Sequence, residues 1–506
     1  MNTQTVPELL ETLIRSSGSV WIGKSVLEDE AHKKNIGLSS IPLLCSNGRV
    51  KNMTIGDRTC YSLARYDALE THVAYHAVRI LRNYICPPDI TEKRLTELLS
   101  QFEIETGSSL HECQKKAVYT ALTKGLAVIS GGPGTGKTYL LKALVYALRR
   151  CIPGVDIRFT APTGKAARRI TESTQNPAKT IQKELGICPG NSELKMFGGD
   201  VLIIDEVSML DMETAFYVLN ALQNGQKLIL TGDIDQLPGV GPGAVLRDLL
   251  FSGTIPAIFL TKTFRQSDSS NLYCNIRKIK NGDCNLSNGP DFHIVPVKTE
   301  SALQMLIPFF LHEVKKYGSG NVACLLPYRK AGILCSDHVN NILQSIINPV
   351  KNKPFLKFIT EPGREVLFTV GDPVMQLENR TECANGDTGF IISVKSDSLV
   401  VKYHDTCVKY DADSLHQLSL AYAISISKAQ GSEYRSVIIC ITSAHSALLS
   451  RNLIYTAITR ATEHCTLLQE YSAIKQAVTN EITYGRETFL AEKIKYYNLK
   501  AAFLSA

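Results

Sequence analysis

Four short runs rich in apolar residues mark the middle of the chain, at 126–129, 157–160, 201–204 and 227–230. The runs at 126–129 and 201–204 are continuous rather than alternating, the pattern of a strand covered on both faces. Each run leads into a turn and then into apolar residues at helical spacing, so strand and helix alternate and a parallel α/β sheet is predicted. Upstream the period is helical. Apolar residues at 6, 9, 10, 13 and 14 predict a first helix, and Leu69, Val73, Ala77, Ile80 and Leu81 a stronger one that Pro87 and Pro88 end. Leu95, Leu98, Leu99 and Phe102 mark a further helix, while 38–53 reads as a hairpin or loop around Ser46, Asn47 and Gly48.

A second α/β region is predicted from 263 onward. It opens with a helical stretch to Asn281 and a turn-rich segment at 285–291, followed by a strand and a helix within 321–348. Between Glu365 and Leu418 the character changes to short β-type runs separated by Asn, Gly and Asp, which predicts a small inserted β-barrel. A strand at 436–441 resumes the alternation, and the chain past Tyr471 reads as a helical tail. The predicted domains are thus a mostly helical one at 1–109, suited to packing or docking a partner, α/β domains at 110–262 and 263–480 with the insertion at about 365–418, and a tail at 481–506.

The chemistry begins where the first of these strands ends. Gly131, Gly132, Pro133, Gly134, Thr135, Gly136, Lys137 and Thr138 complete a G-x-x-x-x-G-K-[ST] signature between an apolar strand and a helical pattern. Glycines there free backbone N–H groups to ring a phosphate, and the following helix aims its positive end at the same anion. Lys137 is expected to reach the β- and γ-phosphates of ATP and Thr138 to hold Mg²⁺ by its hydroxyl. The strand at 201–204 runs into Asp205 and Glu206, adjacent carboxylates that a cation would relieve. Asp205 is therefore assigned to Mg²⁺, and Glu206 to polarising the attacking water.

Further candidates lie along the chain. Gln114, at a helix start upstream of the phosphate loop, can offer a donor and an acceptor to an adenine edge. Pro162, Thr163 and Lys165 follow a strand end and suit close approach of a phosphodiester backbone. Gln236 is placed to report the presence of a γ-phosphate. Arg265 and Arg460 are candidates for stabilising charge on the transferring phosphoryl group.

Composition narrows the setting. The 506 residues, 44% of them apolar, suffice for about three domains. Lys and Arg exceed Asp and Glu by 55 against 48, a mild excess that is compatible with a polyanionic partner without demonstrating one. No two of the 14 cysteines stand at C-x-x-C spacing, which argues against a zinc ribbon or a thioredoxin-type pair. The first residues lack the basic head and apolar core of a signal peptide, and no apolar run approaches a membrane span, so no membrane partner and a cytoplasmic location are expected. Outside the ATP site no cluster of spaced acids suggests a nuclease.

Taken in order, these blocks resemble the motifs of superfamily 1 DNA helicases from Leu110 to Thr466. Gln114, GGPGTGKT, APTGKAARRI and IIDEVSM match the adenine-reading motif and motifs I, Ia and II. TGDIDQLPGV, FRQ, SISKAQGSE and YTAITRA match motifs III to VI. The resemblance implies two RecA-like P-loop domains, with the insertion SH3-like, and ATP held between them. It also implies DNA contacts at Pro162, Thr163, Lys165, Lys428 and Gln430, and places Gly431 and Glu433 with the nucleotide contacts.

The DEVSM, FRQ and KAQGSE forms look like the branch moving 5′ to 3′ on single-stranded DNA. The stretch at 41–81 is similar to RecD-type subunits of exonuclease V. The partners implied are single-stranded and end-containing double-stranded DNA, with RecB-like and RecC-like subunits in a heterotrimer. A stand-alone RecD-like helicase and an ATP-gated DNA-binding scaffold are the alternatives. Ser427 stands where the family usually has His, Gln182 where it has the His of Thr-Ile-His, and Gly239 where it often has the second Pro of Leu-Pro-Pro.

Overall fold

The computed structural model describes residues 5–187, 195–264, 270–360, 363–404 and 406–505. The chain forms two compact units: Met1–Pro162, Arg169–Arg265 and Ile482–Ala506 make the first, and Thr163–Arg168 with Gln266–Glu481 the second.

The first unit is built on a six-stranded, all-parallel sheet. Its order across the sheet is Ala178–Thr180, Ile157–Ala161, Val201–Ile204, Lys227–Gly232, Leu126–Gly131 and Ala257–Leu260. The expected strands at 126, 157, 201 and 227 are all present. Every residue of Leu126–Gly131, Val201–Ile204 and Lys227–Gly232 is buried, which is why their apolar runs do not alternate. Lys227 is the one charged residue in these three strands. Its ammonium donates to the carbonyls of Leu122, at 3.0 Å, and Lys124, and sits 3.7 Å from the centre of the Tyr84 ring. Burial lowers its pKa to about 7.

The N-terminal region carries helices Val6–Ser17, Lys24–Lys33, Ile41–Ser46, Ala64–Arg82 and Glu92–Thr106. A three-stranded antiparallel sheet of Ile22–Gly23, Arg58–Leu63 and Val50–Ile55 stands among them. The expected hairpin or loop thus holds a hairpin strand and also a short helix, which Pro42 enters in its first turn, where a missing N–H costs nothing. Leu9, Ile14, Trp21, Val73 and Ala77 share one hydrophobic core with Leu228, Leu230, Leu490 and Ile494. Arg79 donates to the carbonyls of Leu219 (3.1 Å) and Leu222 (2.6 Å), groups that helix Met212–Ala221 leaves unpaired at its C-terminal end.

The last helix, Leu490–Ser505, completes this unit. Glu70, fully buried, accepts from Trp21 Nε1 at 2.9 Å and from the Phe489 N–H at 2.8 Å, and pairs with Lys493 at 2.9 Å. A buried carboxylate with that many donors is satisfied.

The second unit has a five-stranded parallel sheet, ordered Phe292–Pro296, Ala461–Gln469, Tyr434–Ile441, Val322–Leu326 and Ala423–Ser425. Inserted in it is a five-stranded antiparallel sheet, ordered Cys407–Asp411, Ser398–Lys402, Thr388–Val394, Pro373–Gln376 and Leu418–Leu420. A separate hairpin, Phe355–Ile359 with Glu365–Thr369, precedes it, so β structure starts ten residues earlier than the sequence pattern suggests. The buried Tyr403 and Tyr410 hydroxyls lie 2.8 Å apart, and Tyr410 donates to Gln376 Oε1 at 2.7 Å. Every described cysteine is a free thiol. Among the described residues no helix is long and apolar enough to cross a membrane.

Candidate functional site

Sheet order alone gathers most of the candidate residues of the first unit. The strands ending in the phosphate loop, in Asp205 and in Gly232 are neighbours, and the strand ending before Pro162 lies on the far side of the Asp205 strand. All are parallel, so their C-terminal ends form one edge, the edge where open α/β sheets bind ligands.

In the phosphate loop Gly134 and Gly136 hold φ of 73° and 76°, the left-handed region that favours glycine. A side chain on Gly136 would meet Gln114 Nε2 at 2.6 Å, and one on Gly131 would meet Thr135 Oγ1 at 2.6 Å. Helix Lys137–Cys151 starts at the signature lysine, with its first backbone N–H groups at the loop. Lys137 Nζ donates to the carbonyl of Gly131 at 2.8 Å. The Thr135 hydroxyl donates to Gly132 O at 2.8 Å, and Phe264 N–H donates to Gly134 O at 2.7 Å.

Gln114 is buried, accepts from the His111 N–H at 2.9 Å, and donates to the carbonyls of Thr135 (3.1 Å) and Gly136 (3.4 Å). Its amide therefore braces the loop and caps its own helix.

Asp205 Oδ1 accepts from the Thr231 hydroxyl at 2.5 Å and from the Glu206 N–H at 2.9 Å. Glu206 is buried and holds φ of 56°, a left-handed conformation rare for a residue with a side chain. The turn Val207–Met209 that follows packs on Gly232, where a Cβ would lie 2.8 Å from Val207 Cγ2 and 3.2 Å from Ser208 N. Strained backbone of this sort is kept where the surroundings impose it. Beyond Gly232, Asp233 accepts from the Asp235 N–H at 3.1 Å and from Gln236 Nε2 at 3.4 Å, and both Asp233 and Gln236 are buried.

Hard oxygen donors are what Mg²⁺ takes, and it is usually held by one or two protein groups with substrate phosphates completing the shell. The Asp205 carboxylate, turned by Thr231 and the Glu206 amide, and the Thr138 hydroxyl fit that demand. A cluster of three or more metal-ligating side chains is not found among the described residues, and this mode of binding does not need one.

Candidate residues of the second unit fall in two places. Lys428 Nζ donates to Asn385 Oδ1 at 2.7 Å, and its pKa is lowered by burial and by Arg329. Gln430 and Gly431 are buried, Gly431 with φ of 73°, and Glu433 is half-buried. Arg460 is buried and donates to the carbonyls of Thr456 (3.1 Å) and Ser432 (3.0 Å) and to Thr459 Oγ1 (3.1 Å). The segment Thr163–Arg168, grouped with this unit, brings Lys165 Nζ 3.3 Å from the Tyr434 hydroxyl and Arg168 3.0 Å from Asp387 Oδ2. Pro162 stays with the first unit. Arg265 lies outside the described residues.

Sequence reasoning gave no role to Thr231, whose hydroxyl aims the Asp205 carboxylate, or to Gly232, whose missing side chain admits the Glu206 turn. Both lie in the T-G-D string at 231–233, which marks the strand end without showing these contacts.

Comparison with known proteins follows the same blocks. A family model described as an AAA domain matches residues 109–289, and one described as a UvrD-like helicase C-terminal domain matches residues 420–468. The chain is 32% identical over 375 residues to the ATP-dependent RecD2 DNA helicase of Deinococcus radiodurans, a match covering 73% of this chain and 50% of that protein. It is 28% identical over 430 residues to the RecBCD enzyme subunit RecD of Mycolicibacterium smegmatis, covering 76% and 75%. The chain thus spans half the length of the first relative and three quarters of the second. A crystal structure of Pif1 helicase from Candida albicans aligns with a TM-score of 0.45 at 19% identity, covering 78% of this chain and 99% of that one.

Proposed function

We propose, from the likeness to RecD-type helicases, that the chain is an ATP-dependent DNA helicase or translocase that moves 5′ to 3′ on single-stranded DNA as the RecD-type subunit of a RecB- and RecC-containing helicase–nuclease. The observation that carries this reading is the single sheet edge at which the phosphate loop, Asp205, Glu206 and Gln236 converge.

In this reading both units are RecA-like, the β-rich insertion is an SH3-like barrel, and the N-terminal region docks the partner subunits. Backbone N–H groups of 132–138 cradle the triphosphate, and Lys137 leaves Gly131 O for the β- and γ-phosphate oxygens. Gln114 reads the adenine edge and holds the loop. Mg²⁺, held by Thr138 and Asp205, would supply charge neutralisation on the phosphate oxygens. Glu206 takes the proton of the attacking water, and Gln236 distinguishes triphosphate from diphosphate. Arg265 and Arg460 are assigned to the transferring phosphoryl group, and Gly431 and Glu433 to nucleotide binding.

Pro162, Thr163, Lys165, Lys428 and Gln430 are assigned to the DNA backbone, so that nucleotide state changes the grip on DNA. Parting one base-pair step costs about 1.4 kcal/mol on average. The test is strand separation on 5′- and 3′-overhang duplexes, by the protein alone and mixed with RecB-like and RecC-like chains. Activity confined to 5′ overhangs in the mixture supports the proposal, and ATP turnover with no travel on either overhang would leave only an ATP-gated scaffold. A self-sufficient helicase, the alternative reading, requires unwinding by the protein alone.

A further inference from the structure

Loop 239–243, just beyond Gln236, is fastened from the far end of the chain. Arg486 Nη2 donates to Gly239 O at 2.8 Å, and Nη1 donates to Gly243 O at 2.7 Å and Gly241 O at 3.1 Å. One guanidinium thus spans three alternate carbonyls of a loop with no side chains at those positions. Room for anything larger is missing. A Cβ on Gly239 would lie 2.5 Å from Met209 O, and one on Gly241 2.2 Å from Asp211 Oδ2.

The same loop bonds to the turn that carries Glu206. Gly239 N–H donates to Ser208 O at 3.0 Å, and Met212 N–H to Pro242 O at 2.9 Å. On its outer side Gly243 N–H donates to Gly18 O at 2.8 Å. Gly18 has φ of 72°, and a Cβ there would fall 2.5 Å from the Arg486 guanidinium carbon.

Arg486 is itself held rigidly. Its carbonyl accepts from Arg247 Nη1 at 2.9 Å. Next in sequence, the Glu487 carbonyl accepts from Val20 N–H (2.9 Å) and Trp21 N–H (3.1 Å), and the Thr488 hydroxyl donates to Asp248 Oδ2 at 2.8 Å. Burial and the nearby Arg247 lower the Arg486 pKa to about 10, so it stays charged at neutral pH.

We propose that Arg486 is a positioning residue for nucleotide turnover: by clamping loop 239–243 it holds Gln236 and the Glu206 turn in register, and it ties that register to the N-terminal segment at Gly18. This inference rests on the ATPase reading above. Its guanidinium is engaged by the loop carbonyls and acts through them, so it bears on the rate of hydrolysis and not on nucleotide affinity. A displacement of about 1 Å in such a site can cost on the order of 100-fold.

The experiment measures ATP turnover with single-stranded DNA and binding of a fluorescent ATP analogue, in the full chain, for Arg486→Gln, Arg486→Lys and Gly18→Ala. The expected result is a kcat lowered roughly 10- to 100-fold in Arg486→Gln, with analogue affinity and KM retained. Arg486→Lys recovers part of the rate through the bonds an ammonium can still make. Gly18→Ala, which pushes the guanidinium aside without removing it, lowers kcat in the same way. A folded Arg486→Gln with wild-type kcat overturns the proposal, as does an equal loss of affinity and rate. Should Arg486→Gln fail to fold, wild-type kcat in Gly18→Ala overturns it instead. Absence of turnover in the wild type would sink the ATPase reading itself, a result distinct from either.

Discussion

Lys137 Nζ lies 2.8 Å from the carbonyl oxygen of Gly131, six residues back, so the ammonium folds back across the phosphate loop. Phosphate oxygens compete with that carbonyl for the same protons. Lys137→Ala is expected to weaken ATP binding and to lower turnover by about 10²- to 10³-fold, the usual cost of losing one preorganised donor. Alanine keeps the helix that starts there. Nucleotide binding and steady-state hydrolysis, measured beside a melting curve, check the outcome; unaltered turnover would remove the lysine from the site.

Gly232 gives a packing test of the Glu206 turn. Gly232→Ala drives a methyl to 2.8 Å from Val207 Cγ2, so either the turn or the strand must shift. Overpacking of this sort costs about 1–3 kcal/mol. The expected outcome is a lower unfolding midpoint in denaturant together with a turnover loss larger than any loss in nucleotide affinity. Unchanged stability and rate would mean that the turn is free to move.

Much of this edge could be read in advance, for a physical reason. Strands buried on both faces write themselves as unbroken apolar runs, and Val201–Ile204 and Leu126–Gly131 stand where those runs predict. The phosphate loop is equally legible, because backbone that must approach an anion needs glycine at set intervals. Contacts made through space were not. Thr231 resembles any other strand residue until the sheet register sets it beside Asp205. Arg486 sits in what reads as a plain helical tail, since helical periodicity reveals an apolar face and not the core it enters. The left-handed backbone of Glu206 is invisible for the same reason, being imposed by neighbours and not by its own side chain.

His76 supplies a pH test of the first unit. It accepts from Arg79 Nε at 3.0 Å, and burial, with Arg79 and His72 nearby, lowers its pKa from 6.5 to about 4. Between those values the unfolded chain takes up a proton that the folded chain refuses, so stability present above pH 6.5 is lost as the pH falls toward 4. His76→Gln keeps an acceptor for Arg79 and removes the titration. The slope of unfolding free energy against pH in that window should become shallower in the variant, and superimposable slopes would contradict the assignment.

Lys428 is the most direct probe of DNA grip. Its ammonium, 2.7 Å from Asn385 Oδ1, is assigned to a backbone phosphate. Lys428→Ala should weaken single-stranded DNA binding without regard to base sequence. The slope of log K against log salt should also fall in magnitude by about 0.7, the value for one contact on a single strand. A sequence-dependent loss, or an unchanged slope, would place Lys428 off the DNA path.

The central claim is that the sheet edge bearing Lys137, Asp205 and Glu206 hydrolyses ATP with Glu206 as the base. Glu206→Gln keeps size and hydrogen-bonding reach while giving up the proton-accepting charge. Measured together in one preparation with single-stranded DNA, ATP affinity should stay at the wild-type value while turnover falls by about 10²- to 10⁴-fold. DNA-stimulated hydrolysis persisting near the wild-type rate in that variant would contradict the account.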